Sequence, residues 1–434
     1  MTERVRFTDL LVKIVDNRGR TCPTVDRGLP LIATNCVKNG TLFPVFEKVR
    51  YVSKETYDTW FRGHPEPGDL IFVCKGSPGQ VCLTPSPVSF CIAQDMVAIR
   101  ADPKRVYPPY LFAALRSKDV QFDIGNMHVG TMIPHFKKGD FDKLWIPLPS
   151  VSAQQFIGDW HLALEETIEL NRRMNETLEA MAQAIFRDWF VDFGPVRRKL
   201  EGATDPVAIL GGLTPDPARA AELAALFPDG LGEDELPLGW SKRPLDQIAE
   251  FLNGLALQKF PARPGEPSLP VIKIAELRGG LTDKSNRAAT DLPERFIVRD
   301  GDFIFSWSGS LMAKVWTEGA GALNQHLFKV TSIAYPQWFF ARWVLHHMPE
   351  FQSIAASKAT TMGHIQRGHL SSAATVCPPE TLLNEMSQVM GPLWERTIHN
   401  DLENRTLAET RDYLLPRLMS GEVRVGDVQS ETAA

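Results

Sequence analysis

The sequence predicts an α+β protein. It reads as two tandem α/β modules, each followed by a long helix, the two helices packing as an antiparallel coiled coil with pseudo-two-fold symmetry. Three observations carry that prediction. A phrase opening on Gly-Asp occurs twice, as GDLIFVCKGS from Gly68 and as GDFIFSWSGS from Gly301. Downstream of each copy, apolar residues recur every seven positions. Basic and acidic residues are segregated along the chain.

The repetition extends beyond the phrase. GLPLIATNCVKNG (Gly28–Gly40) parallels SLPVIKIAELRGG (Ser268–Gly280), PPYLFAAL from Pro108 parallels PQWFFARW from Pro336, and GTMIPHFKKGDF from Gly130 parallels ATTMGHIQRGHL from Ala359. The offset between copies drifts only between 240 and 228, as a few loop insertions would produce. It is far longer than a solenoid unit of roughly 20–50 residues and is the size of a domain. In chain order the reading is a first module at 1–150, a helix at 151–193, a connector at 194–235, a second module at 236–380, a second helix at 381–421 and a tail at 422–434.

Within the first module, YPPYLFAAL reads as a turn leading into a helix, because Pro fits a helix's first turn. The first long helix carries Ile157, Leu164, Asn171, Leu178 and Ile185 on one heptad position, with Trp160, Thr167, Met174 and Met181 on the other. No Gly or Pro interrupts it from Asp159 to Phe193. This predicts a helix on the order of 50–55 Å that needs a partner. Met386, Leu393, Asn400, Leu407 and Leu414 supply one, with a weaker second edge, and Gly391-Pro392 is expected to break or kink its start. Asn171 and Asn400 occupy equivalent positions. A polar residue there costs stability but fixes register; simple inheritance at exposed sites is the alternative. The connector is rich in Pro, Gly and acidic residues, with one short helix expected at 217–226.

Composition is ordinary for a globular chain of 434 residues, 44% apolar and 23% charged. Six cysteines without a CxxC pair argue against metal ligation and structural disulfides. No signal peptide is evident, and no apolar run is long enough to span a membrane. A soluble, cytoplasmic protein without a membrane partner is therefore expected. The net charge of −5 hides a division: residues 1–150 carry +5, residues 236–380 carry +3, and the remainder carries −13. The modules therefore suit a phosphate-bearing partner, and the acidic framework suits something else.

Catalytic motifs are near-misses. YPPY at 107–110 resembles the D/N-P-P-Y/F motif of amino-methyltransferases, but Tyr107 lacks the amide or carboxylate oxygen that accepts from a flipped base. No Gly-rich turn for an adenosyl cofactor and no P-loop occur. KGSPG at 75–79 lacks the first Gly of a nucleophile elbow. His346 and His347 fall on an expected helix, where a structural role outweighs metal binding. What remains are polar residues at matched loop positions, the candidate DNA-binding residues. In the first module these are Lys75, Ser77, Gln80, Gln94, Thr131, His135, Lys137 and Lys138. In the second they are Ser308, Ser310, Lys314, Gln325, His326, Thr361, His364, Gln366 and Arg367. Lys and Arg suit phosphate or guanine, Gln suits adenine, and hydroxyls serve many edges. For shared residues such as Gln94 and Gln325 a structural role is favoured; residues that read sequence should differ between copies, as Cys74-Lys75 differs from Trp307-Ser308.

These phrases resemble the specificity subunit of type I restriction-modification systems over roughly residues 10–425. GDFIFSWSGS, ALNQHLFKV and TMGHIQRGHL look like its target-recognition domain. AIFRDWFVDFGPVRRKLEG with ALFPDGL and ELPLGW looks like its central conserved region, and NRTLAETRDYLLPRLMSGEV like its C-terminal conserved helix. GDLIFVCKGSPGQ and Gly391-Pro392 depart from the pattern. The resemblance implies a non-catalytic subunit that binds double-stranded DNA and no cofactor of its own. It implies two modification subunits, carrying S-adenosylmethionine, clasping the helices, and restriction subunits carrying ATP and Mg. Two other readings stand beside it: a lone adenine methyltransferase, and a coiled-coil scaffold with two ligand-binding lobes and no DNA role.

Overall fold

The computed structural model describes residues 3–19, 21–127, 134–214, 216–357 and 363–423. The chain divides into two units, one of Met1–Leu170 with Thr406–Ala434 and one of Asn171–Arg405. The long helices Val151–Phe186 and Glu380–Ser420 each contribute one end to each unit.

The first unit contains β1 (Glu3–Arg6), β2 (Leu11–Val15), β3 (Leu29–Ile32), β4 (Arg50–Val52), β5 (Leu70–Val73), β6 (Val81–Leu83), β7 (Cys91–Ile92), β8 (Met96–Ala101) and β9 (Trp145–Leu148). An antiparallel sheet has the order β2-β8-β5-β6, a smaller sheet the order β4-β3-β7 with β3 and β7 parallel, and β1 pairs with β9. β5 is apolar throughout because both its faces are covered. Phe72 packs with Phe136 and Phe141, while Ile71 and Val73 join a separate core with Ile92 and Met96. The helix Pro108–Arg116 starts on Pro at its first positions, where no N–H is missed, and buries Tyr110 through Leu115.

The second unit repeats this plan. Its strands are β10 (Ser241–Pro244), β11 (Glu250–Asn253), β12 (Ser268–Ile272), β13 (Arg287–Ala289), β14 (Ile297–Val298), β15 (Phe303–Ser306), β16 (Met312–Val315), β17 (Gly321–Leu323), β18 (Leu327–Thr331) and β19 (Ala374–Cys377). The order β11-β18-β15-β16 matches β2-β8-β5-β6, and β13-β12-β17-β14 extends β4-β3-β7 by one strand. The repeated Gly-Asp has a physical cause in both copies. Gly68 and Gly301 both take positive φ, a region open to glycine. Asp69 is gripped by Arg100 of β8 through Nε and Nη2 (2.7 and 2.9 Å), and Asp302 pairs with Lys329 of β18 at 2.7 Å. The turn thus locks a cation of the neighbouring strand.

Three details correct the sequence reading of the framework. The first long helix is α-helical only to Phe186; Arg187–Val191 forms a π turn that sends Trp189 and Phe190 into the second unit's core, fixed by the bidentate Asp188–Arg198 pair. Gly391-Pro392 does not break the second helix, which is continuous from Glu380 to Ser420. Anchors on both sides outweigh the one hydrogen bond that proline removes. Met386 and Met390 are buried, Trp338 donates to Ser387, and Trp394 donates to Gln337. The connector holds the helix Pro217–Leu226, together with Gly194–Leu200 and Pro206–Ile209.

Of the heptad residues, Ile157, Asn171, Ile185, Met386 and Asn400 are buried; Leu164, Leu178, Leu393, Leu407 and Leu414 are half-buried. Within the second unit the helices bond in an antiparallel sense. Asn171 donates to Glu403 and Asn404 (2.9 and 3.1 Å), and Asn175 to Asp401 (2.8 Å). Within the first unit His161 and Glu165 are buried as fully as Ile157, positions the heptad pattern does not select. Glu165 meets Arg116 at 2.9 Å and Arg411 at 2.6 Å. Among the described residues no helix is long and apolar enough to cross a membrane, and no cluster of three His, Cys, Asp or Glu is placed to hold a metal ion.

Candidate nucleic-acid interface

In each unit the segment leaving the central strand turns against the loop that carries the matched histidine. After β5, Lys75 forms an antiparallel bridge with His135: Phe136 N–H donates to the Cys74 carbonyl (2.8 Å) and Gly76 N–H to the Pro134 carbonyl (3.0 Å). After β15, Ser308 forms the same bridge with His364: Ile365 N–H donates to the Trp307 carbonyl (3.0 Å) and Gly309 N–H to the Gly363 carbonyl (2.8 Å). The duplicated backbone is therefore the same, and the side chains on it differ.

The first unit's version is cationic. Arg18, Gly19, Thr21, Lys75, Gln94 and Asp95 line a cleft of about 330 Å³, with His135 alongside. Burial, together with Arg18, Lys75 and Lys137, holds the His135 imidazole below its ordinary value, so near neutral pH it both donates and accepts. Lys137 and Lys138 are exposed beside it, Lys138 lying 3.9 Å from Asp16. Arg18, which pattern reading missed, is anchored by Asp16. Its segment, VDNRGR, has no counterpart in the second copy, so comparing the copies could not reveal it.

The second unit's version is aromatic, with Arg278 lining a pocket beside Gly309, Ser310 and Gly363. Ser308 is buried and its Oγ lies 3.0 Å from His326 Nδ1; the Gln325 amide lies 3.5 Å from the other ring nitrogen. The Trp307 indole donates to Asn253 and lies near the rings of His326 and His364.

Other candidates sit elsewhere. Gln80 accepts from Asn39 N–H (2.6 Å), tying two loops, and does not line the cationic cleft. Ser77 and Ser310 are exposed on the turns. Lys314 lies on β16 near Asp401 of the second helix, in a separate cavity. Gln366 caps the short helix Arg367–Ser372, exchanging bonds with His369. Arg367 is exposed and lines a third cleft with Asp246, Glu250 and Arg295. Thr131 and Thr361 lie outside the described residues.

Residues 26–180 match the family described as type I restriction modification DNA specificity domain. The chain is 26% identical over 375 residues to the type I restriction enzyme HindI specificity subunit of Haemophilus influenzae, covering 77% of this chain and 82% of that protein. Over most of its length the chain is thus similar to type I restriction enzyme specificity subunits. The MjaIX specificity subunit of Methanocaldococcus jannaschii is 22% identical over 331 residues, covering 74% of this chain and 71% of that protein. The fold agrees with the type I restriction-modification S subunit of M. genitalium, at a TM-score of 0.55 and 14% identity over 96% of this chain and 95% of that one. The chain's two units offer two chemically different surfaces on one backbone plan.

Proposed function

We propose that this chain is a specificity subunit that selects the DNA target of a type I restriction-modification complex and is itself non-catalytic. Each module reads one half of a bipartite double-stranded target, and the paired helices set the gap between halves and carry two modification subunits. S-adenosylmethionine belongs to those partners, and ATP with Mg to the restriction subunits that join them. The observation that carries this reading is the bridge made twice, Lys75 with His135 and Ser308 with His364. A fixed main chain presenting different side chains is what two half-sites of different sequence require. The basic modules suit phosphate, whereas the acidic helices suit protein.

The test is co-expression with the modification subunit, followed by methylation sequencing of the host genome. A bipartite motif is expected. Exchanging residues 1–150 for the equivalent module of a relative should alter one half of that motif only. A change in both halves together would overturn the modular reading.

A further inference from the structure

Asp16 holds Arg18 side-on, accepting from Nε at 2.9 Å and from Nη2 at 3.0 Å. A guanidinium carries five N–H donors in a fixed plane, so this grip leaves the Nη1–Nη2 end with its parallel donor pair. That end belongs to a side chain one-fifth exposed, 20%, and lining the cationic cleft, so it is both ordered and reachable. Parallel donors match the O6 and N7 acceptors of guanine in the major groove, and also a phosphate. The cleft decides between them. Inside it each cation faces a carboxylate, Arg18 with Asp16 and Lys75 with Asp95 at 3.9 Å, whereas the unmatched positive charge that suits phosphate sits outside on Lys137; the neutral edge of a base fits the charge-matched cleft. We infer that Arg18 reads a guanine in the first module's half-site, with Asp16 as its positioning residue. This rests on the function proposed above. The second module has no equivalent: Gly254, Leu255 and Ala256 follow β11, and Ser308 stands in place of Lys75.

The test uses the chain assembled with its modification subunits and duplexes carrying the mapped target. Each guanine of the first half-site is replaced in turn by 7-deazaguanine, which lacks the N7 acceptor. At one guanine the wild-type complex should lose about ten-fold in affinity, within the range of a bidentate base contact. Arg18→Ala should abolish that penalty, and Asp16→Ala should shrink it, with binding to second-half substitutions unchanged. A first half-site without guanine overturns the inference, as does a wild-type series with no penalty, which needs no variant to fold. So does a penalty of equal size in Arg18→Ala. Absence of any bipartite target would instead bring down the underlying function, whatever Arg18 does.

Discussion

Asn400 donates its side-chain amide to Asn175 at 2.8 Å, across the two long helices within the second unit. Asn400 is fully buried, so the bond cannot be replaced by water without opening the pair. Replacing Asn175 by Leu should strand the Asn400 amide and cost about 1–3 kcal/mol. The double variant Asn175→Leu/Asn400→Leu should recover part of that loss, because the Asn400 amide is no longer stranded, while Asp401 still lacks its Asn175 donor. Denaturant unfolding of the three variants checks this; a double variant as unstable as the sum of the singles would contradict it.

His161 predicts a specific acid sensitivity. Burial pushes its imidazole down to about 3 from an ordinary 6.5, with Arg116 and Arg411 acting in the same direction against Glu165, and neither ring nitrogen has a hydrogen-bond partner among the described residues. The folded chain keeps this ring neutral while the unfolded chain protonates it below 6.5. Stability is therefore lost as pH falls from 6.5 toward 3, approaching about 1.4 kcal/mol per pH unit. Glu165, also buried but held below its ordinary 4.5 by Arg116 and Arg411, adds its own loss only below 4.5. Between pH 6.5 and 4.5 the His161→Leu variant should show a flatter stability profile than the wild type. Equal slopes in that window would refute the assignment.

Ser308 and His326 should affect one half of the target. Removing the hydroxyl with Ser308→Ala frees His326 Nδ1 from its 3.0 Å partner. This should relax one position of the second half-site, at roughly 1–3 kcal/mol of discrimination. Methylation sequencing reads this directly. The first half-site should be unchanged, and relaxation there would count against two independent modules.

The antiparallel register places a length test. Asn171 meets Asn404 and Asn175 meets Asn400, so a cut between Thr177 and Leu178 faces one between Thr397 and Ile398. One heptad inserted at both points keeps those pairs and adds about 10 Å of helix. With base pairs about 3.4 Å apart, the gap between half-sites should lengthen by at most roughly three base pairs, with the bases read unchanged. An active complex with the original gap would exclude the helices as the spacer.

The duplication, the two long helices and the helix after YPPY were legible because each leaves a pattern: repeated phrases, heptads, Pro at a helix start. Other features leave none. His161 and Glu165 look like surface residues of an amphipathic helix, and only packing against Arg116 and Arg411 makes them core. Gly391-Pro392 reads as a break because sequence shows the lost hydrogen bond and not the tryptophan anchors beside it. Gln80 carries base-reading chemistry in name, yet it ties a loop. Equivalence between copies pairs Asn171 with Asn400, whereas an antiparallel pair joins each to the other's neighbour four residues on.

The bridges of Lys75 with His135 and of Ser308 with His364 are made from main-chain atoms. The hydrogen bonds of the frame thus do not depend on the side chains at 75, 135 and 364, while Ser308 is itself buried. New alphabets can be installed on that frame by single codon changes, without rebuilding the sheet beneath or the helices behind. A selection for altered restriction should then enrich substitutions at 75, 135 and 364, while Asp69 and Asp302, which hold the frame itself, stay fixed.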